Sequence, residues 1–124
     1  MTSADFIWNR ACEGGGPSPS NGDRALAALI GAHSLVMNGG VLHAVECLST
    51  SDLADAEDGF RFFNLAAVAD LLVRAREIFE AQEEMESYEL KLDHDYATLI
   101  PDDSSLLERF EQIHKTRPSE FASI

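Results

Sequence analysis

The chain has 124 residues and carries 22 acidic against 9 basic side chains, a net charge of −13, with 45% apolar and 25% charged residues. That length supports one core burying roughly two thirds of the unfolded surface and excludes two ordinary domains, while the apolar share argues against wholesale disorder. The negative field repels phosphates, which disfavours direct binding of nucleic acid or of an anionic membrane surface and favours a cationic partner.

The first residues, MTSADFIWNR, lack the basic and apolar regions of a signal peptide. Cys12 and Cys47 show neither CxxC nor disulfide-scaffold spacing, so reduced thiols in a cytoplasmic protein are expected. No apolar run approaches the ~20 residues of a membrane span.

Residues 2–12 are predicted to form a short helix with Phe6, Ile7 and Trp8 as an apolar knob, ended by Gly14 to Gly16. The stretch GGGPSPSNG reads as a linker, because its glycines and prolines do not propagate a helix. The expected organisation is therefore a helical arm at residues 1–13, a linker at 14–22 and an all-helical domain at 23–124.

Beyond the linker, Asn21 or Asp23 can cap a helix whose Leu26, Leu29, Ile30, His33, Val36 and Met37 follow i, i+3, i+4 spacing. It should stop at the structural turn Asn38-Gly39-Gly40, where glycine accepts positive φ, and a second helix should run from Val41 to about Leu48. The sequence STSD at 49–52 offers the next cap, before Leu53, Ala56, Phe60 and Phe63, and Asn64 is a break. The longest helix is predicted from about Leu65 to Met85, with Val68, Leu71, Leu72, Ala75, Ile78 and Phe79 inward and Glu77, Glu80, Glu83 and Glu84 outward.

Continuing that helix would turn Glu86 and Glu89 toward the core, so it is expected to end near Met85. Residues 87–101 are then read as a connector with a short turn or helix around Asp93 to Tyr96. A last helix from about Asp103 to Lys115 buries Leu106, Leu107, Phe110 and Ile113, with Asp102 to Ser105 as caps, Lys115 at its negative end and Pro118 beyond it. The fold class is all-α, five to six helices in a single compact domain with an N-terminal helical arm.

Catalytic patterns are sought with little result. His33, His43, His94 and His114 lack metal-ligand spacing, and His33, on an apolar face, is expected to be a hydrogen-bonded core histidine; neither a metal nor a cofactor is expected. Asp93-His94-Asp95 is read as a solvated turn, because adjacent side chains point apart. Cys47 is expected to be a small buried hydrophobe, and Asp102 and Asp103 lack calcium-loop spacing.

What stands out is charge. From Glu77 to Glu111 twelve acidic side chains face two basic ones, Lys91 and Arg109, a local charge of −10. A solvated helix face explains such a block equally well. On a continuous helix, the six carboxylates from Glu77 to Glu89 would fall about every 3 Å, near the ~3.4 Å phosphate spacing of one DNA strand. Two helices or two protomers would be needed to imitate both strands.

Four motifs, His33-Ser34-Leu35-Val36-Met37-Asn38-Gly39-Gly40, Leu92-Asp93-His94-Asp95-Tyr96, Asp102-Asp103 and Pro118-Ser119-Glu120-Phe121, stand in an order that resembles a bacterial acidic DNA-mimic family sharing an all-helical domain of unknown function. The likeness covers about residues 23–122. Val41, Ala44, Val45 and Cys47 depart from the aromatic and amide residues the family carries there. The resemblance implies a homodimer whose acidic surface imitates duplex DNA and occupies a transcriptional regulator.

The leading expectation is a non-enzymatic binding protein with a basic, DNA-binding protein as partner. Its candidate partner-binding residues are Glu77, Glu80, Glu84, Asp93, Asp95, Asp102, Asp103, Glu108 and Glu111. An immunity protein against a basic toxin or nuclease is the alternative, and a small helical hydrolase or metalloenzyme rests only on the histidines.

Overall fold

The computed structural model describes residues 2–82 and 84–123. Seven α-helices are present among them, rather than five to six: α1 (Ser3–Cys12), α2 (Asn21–Gly39), α3 (Val41–Cys47), α4 (Thr50–Phe62), α5 (Ala66–Ala81), α6 (Met85–Leu99) and α7 (Asp103–Thr116), with a 3-10 turn at Pro118–Glu120 after the last. No strand occurs among the described residues. The additional helix is α6, 15 residues long where a connector with only a short turn or helix was expected.

Helix α2, with 19 residues, is the longest, a place expected for the 65–85 segment. It begins two residues before Asp23, whose carboxylate reaches back to the Ser20 N–H. Its core face carries Leu26, Leu29, Ala32 and Val36, whereas Met37, expected inside, is 61% exposed in the last turn. At Gly59 of α4 an added Cβ would lie 2.5 Å from the Ala25 carbonyl oxygen, so glycine there permits close approach of α2 and α4. Gly40, at φ 97°, turns the chain from α2 into α3 as the glycine pair predicted.

The α4 cap is Ser49, whose hydroxyl accepts the Asp52 N–H, and Asn64 breaks the chain at φ 59°. Helix α5 buries Val68, Leu71, Leu72 and Ala75 but stops at Ala81, short of the predicted end. Gln82 and Glu84 both adopt left-handed backbone, φ 53° and 54°. Continuation would have stacked Glu80 against Glu84 one turn on, with no apolar residue except Ala81 from 80 to 84 to hold the turn against the core. Glu83, expected on the outward face of this helix, lies outside the described residues.

The break redirects the chain. Helix α6 starts in a new direction, and Leu92, Tyr96 and then Ile100 recur at i, i+4, i+8 to seat its C-terminal half. Glu86 and Glu89 lie in the opening turns of α6, which remain in water although the residues between them change face. Desolvation weighs against continuing α5, which does stop before Met85; it does not bear on a new helix that runs in another direction.

Both chain ends close over the start of α2. Ile7 and Ala11 enter the common core, and the Trp8 ring meets Phe110 at 5.7 Å. Phe121 lies 5.6 Å from Phe110 and 6.4 Å from Phe63, completing an aromatic cluster. Asp23, only 1% exposed, accepts from Arg10 Nη2 at 3.0 Å and from the Ala122 N–H at 2.7 Å, while Arg10 also donates to the carbonyls of Ala122 and Ser123. One buried carboxylate thus joins the arm, the α2 cap and the C-terminal tail. Removing one partner of a buried pair leaves the other uncompensated, so Asp23→Ala is expected to destabilise by about 3–5 kcal/mol in chemical denaturation. Amide exchange should accelerate first in α1.

Candidate functional site: an acidic helix surface

The candidate carboxylates fall on three helices and the corner between two of them. On α5, Glu77 and Glu80 stand one turn apart on the side away from the core. Glu84 stands at the corner before α6, and Glu108 and Glu111 lie at i, i+3 on α7. None of these five forms an ion pair among the described residues. The corner after Ala81 means that the carboxylates do not follow one helix axis, so the phosphate-like spacing that a continuous helix would give does not arise.

The other four candidates hold the chain together. Asp93 accepts the Val41 N–H at 2.8 Å, occupying the start of α3 just after the glycine turn. Asp95 takes Arg74 at 3.1 Å and Lys91 at 3.4 Å, tying α6 to α5. Asp102 caps α7 by accepting the Ser105 N–H, and the Ser104 hydroxyl, that N–H and the Ser105 hydroxyl hold its carboxyl below the usual range. Asp103, 82% exposed in its side chain, accepts from His33 Nε2 at 2.7 Å.

His33 is buried and hydrogen bonded, as its apolar helix face predicted. Its Nδ1 lies 2.7 Å from the Tyr96 hydroxyl. Burial, reinforced by the Asp103 charge, pushes that hydroxyl well up, so it remains protonated in its bond to Nδ1. At the other ring nitrogen, Nε2 donates to the Asp103 carboxylate. His33, Tyr96 and Asp103 lock α2, α6 and α7 to one another.

Adjacent Asp93, His94 and Asp95 do not converge: the two aspartates bond to α3 and to α5, and His94 is exposed. They lie on a helix rather than in the predicted turn, and no group of three or more His, Cys, Asp or Glu side chains among the described residues could hold a metal ion. Cys47, expected to be buried, is exposed, because the inward face of α3 is taken by Val41, Ala44 and Val45.

The arginines beside the acidic surface, and Lys91, are occupied internally. Arg74 and Lys91 share Asp95, Arg76 reaches the buried Glu57 at 3.3 Å, and Arg109 donates to the carbonyls of Phe63 and Asn64. The outward glutamates are left uncompensated. Glu86 and Glu89, absent from the candidate set, stand on α6 in the same condition. The Leu92/Tyr96 spacing was the signal that could have placed them on a helix. Tyr88 and Leu90 stand among them, 41% and 82% exposed.

The family model described as DMP19-like protein matches residues 19–118. The chain belongs to the DMP19-like family. This is a DNA-mimic family, consistent with the motif resemblance. Comparison with curated proteins and with solved structures found no match. The matched span of this DMP19-like chain runs from the cap of α2 into the closing 3-10 turn and leaves α1 outside. Within it, three motifs that carry the resemblance converge: His33 bonds Tyr96 and Asp103, and Asp93 bonds the residue after the glycine pair. No helix among the described residues is long and apolar enough to cross a membrane.

These bonds generate two expected outcomes. Tyr96→Phe removes a buried donor from His33 and is expected to destabilise by about 1–2 kcal/mol. Asp102, with its folded value lowered, adds stability that is present above the unfolded value of ~3.9 and disappears as pH falls through the lowered value. A pH series of thermal melts should therefore show a smaller acid loss in Asp102→Asn than in the wild type.

Proposed function

We propose that this chain is a non-enzymatic, cytoplasmic binding protein that presents carboxylates to the basic groove of a DNA-binding protein, in place of DNA. The supporting observation is the set of uncompensated glutamates, Glu77, Glu80, Glu84, Glu108 and Glu111, on helices whose own arginines are committed to internal partners. Glu86 and Glu89 extend the set along the projecting turns of α6. Asp95, Asp102 and Asp103 contribute charge to the same field while each holds an internal bond. Asp93 contributes less to the contact, being half-buried against α3.

A groove that binds duplex DNA offers arginine and lysine at phosphate positions, and carboxylates meet them with charge-assisted hydrogen bonds. Such exposed attraction is screened over ~8 Å at physiological ionic strength, so affinity should fall with salt. A homodimer would supply a second copy of each acidic helix, as imitation of two strands requires.

An affinity column bearing the full chain, loaded with native cell extract at low salt, should retain a basic DNA-binding protein released by rising salt and by competing duplex DNA. Replacing Glu77, Glu80, Glu84, Glu108 and Glu111 with glutamine should weaken that partner several-fold at low salt and flatten the salt dependence. None of the five is buried, and none is paired among the described residues, so the melting temperature should not fall. Unchanged affinity would sink the mimicry reading, and a nuclease as the retained protein would favour immunity instead.

A further inference from the structure

A groove of 610 Å³ runs between α2 and α4, apart from the carboxylates of α5, α6 and α7. Ala27, Ala28 and Gly31 of α2 line it, and Asp52, Asp55 and Asp58 of α4 line it from the other helix. The aspartates recur every three residues and so form a row along α4. Asp52 has a local explanation, since it stands in the first turn, where a carboxylate suits the helix dipole. Asp55 and Asp58 have none: both are exposed, and neither has a hydrogen bond or ion pair among the described residues. Arg24 also lines the groove without pairing to the row.

Gly31 is the second observation. It lies inside a continuous helix at ordinary helical φ, where glycine is less favourable than alanine, and a Cβ placed on it would meet nothing within 4 Å. The chain's own packing therefore does not require the missing side chain. Its absence, with Ala27 and Ala28 one turn earlier, opens a shallow apolar floor that another backbone can approach to about 8 Å between helix axes. From Arg24 to Gly31 the floor extends about 10 Å, two turns of helix.

We propose that this groove docks a short helix of a partner protein, with small apolar residues on one face and arginine or lysine every three or four residues along its edge. The unpaired aspartate row supplies the charge complement. A second copy of this chain is a poor occupant, because at a net charge of −13 it brings the wrong sign to that row. The inference is independent of the DNA-mimic reading, since it uses none of those carboxylates.

The test uses the full chain, 15N-labelled, and a synthetic helical peptide of about four turns with alanine and leucine on one face and arginine along the edge. Amide shifts should concentrate at residues 24–31 and 52–59. Gly31→Leu, which fills the floor, should lower peptide affinity about tenfold or more, and Gly31→Ala should raise Tm by a few degrees. Asp55→Asn with Asp58→Asn, at exposed positions that do not threaten folding, should weaken the peptide several-fold. Glutamine at Glu77, Glu80 and Glu84 should leave it unchanged, which separates this groove from the acidic surface. Three results overturn the proposal: full affinity in both the Gly31→Leu and the double asparagine variants, equal shifts at these amides with an arginine nonamer lacking an apolar face, or a wild-type dimer that Gly31→Leu dissociates.

Discussion

Helix α2 has a buried polar side chain near its start, Asp23, and another in its second half, His33, and each obtains partners from segments distant in sequence. An unpaired carboxylate or imidazole in the core would be costly, so α2 is stable in place only when the arm and tail have closed on Asp23 and when α6 and α7 have closed on His33. Arg10, Ala122, Tyr96 and Asp103 are therefore conditions of the fold as much as decorations of it. The apolar core supplies most of the driving force, while these two nodes select which helices meet around α2.

That division separates the residues that carry the motif resemblance from those proposed as a binding surface. The motifs that carry the resemblance converge, through His33, Asp93, Tyr96 and Asp103, on bonds between helices. The glutamates proposed to meet a partner belong to none of those bonds. Replacing those outward glutamates should therefore leave the architecture intact, because solvated carboxylates have little effect on stability.

The corner after Ala81 shapes the acidic surface. Two left-handed residues turn the chain, and the first turns of α6 then stand clear of the body with glutamates, Tyr88 and Leu90 in solvent. A DNA strand presents charge along a smooth path, whereas this surface is made of a helix, a corner and a second helix. Exposed apolar groups beside the carboxylates offer contacts that DNA phosphates do not, which suits recognition of one protein rather than of any basic surface.

Sequence alone determined the all-α class, the caps at Ser49 and Asp102, the turns at Gly40 and Asn64, and most of the inward faces, because periodicity and turn chemistry act over a few residues. The buried histidine was legible for the same reason: an apolar helix face announced its environment. Tertiary structure decided where α5 stops and α6 starts, since whether Glu86 and Glu89 are desolvated depends on where the helix lies relative to the body, not on its wheel. It also decided which carboxylates are free. Twelve acidic residues look alike in sequence; Asp102 holds the local cap the sequence announced, but Asp93, Asp95 and Asp103 take partners on other helices, and no local pattern specifies such pairings.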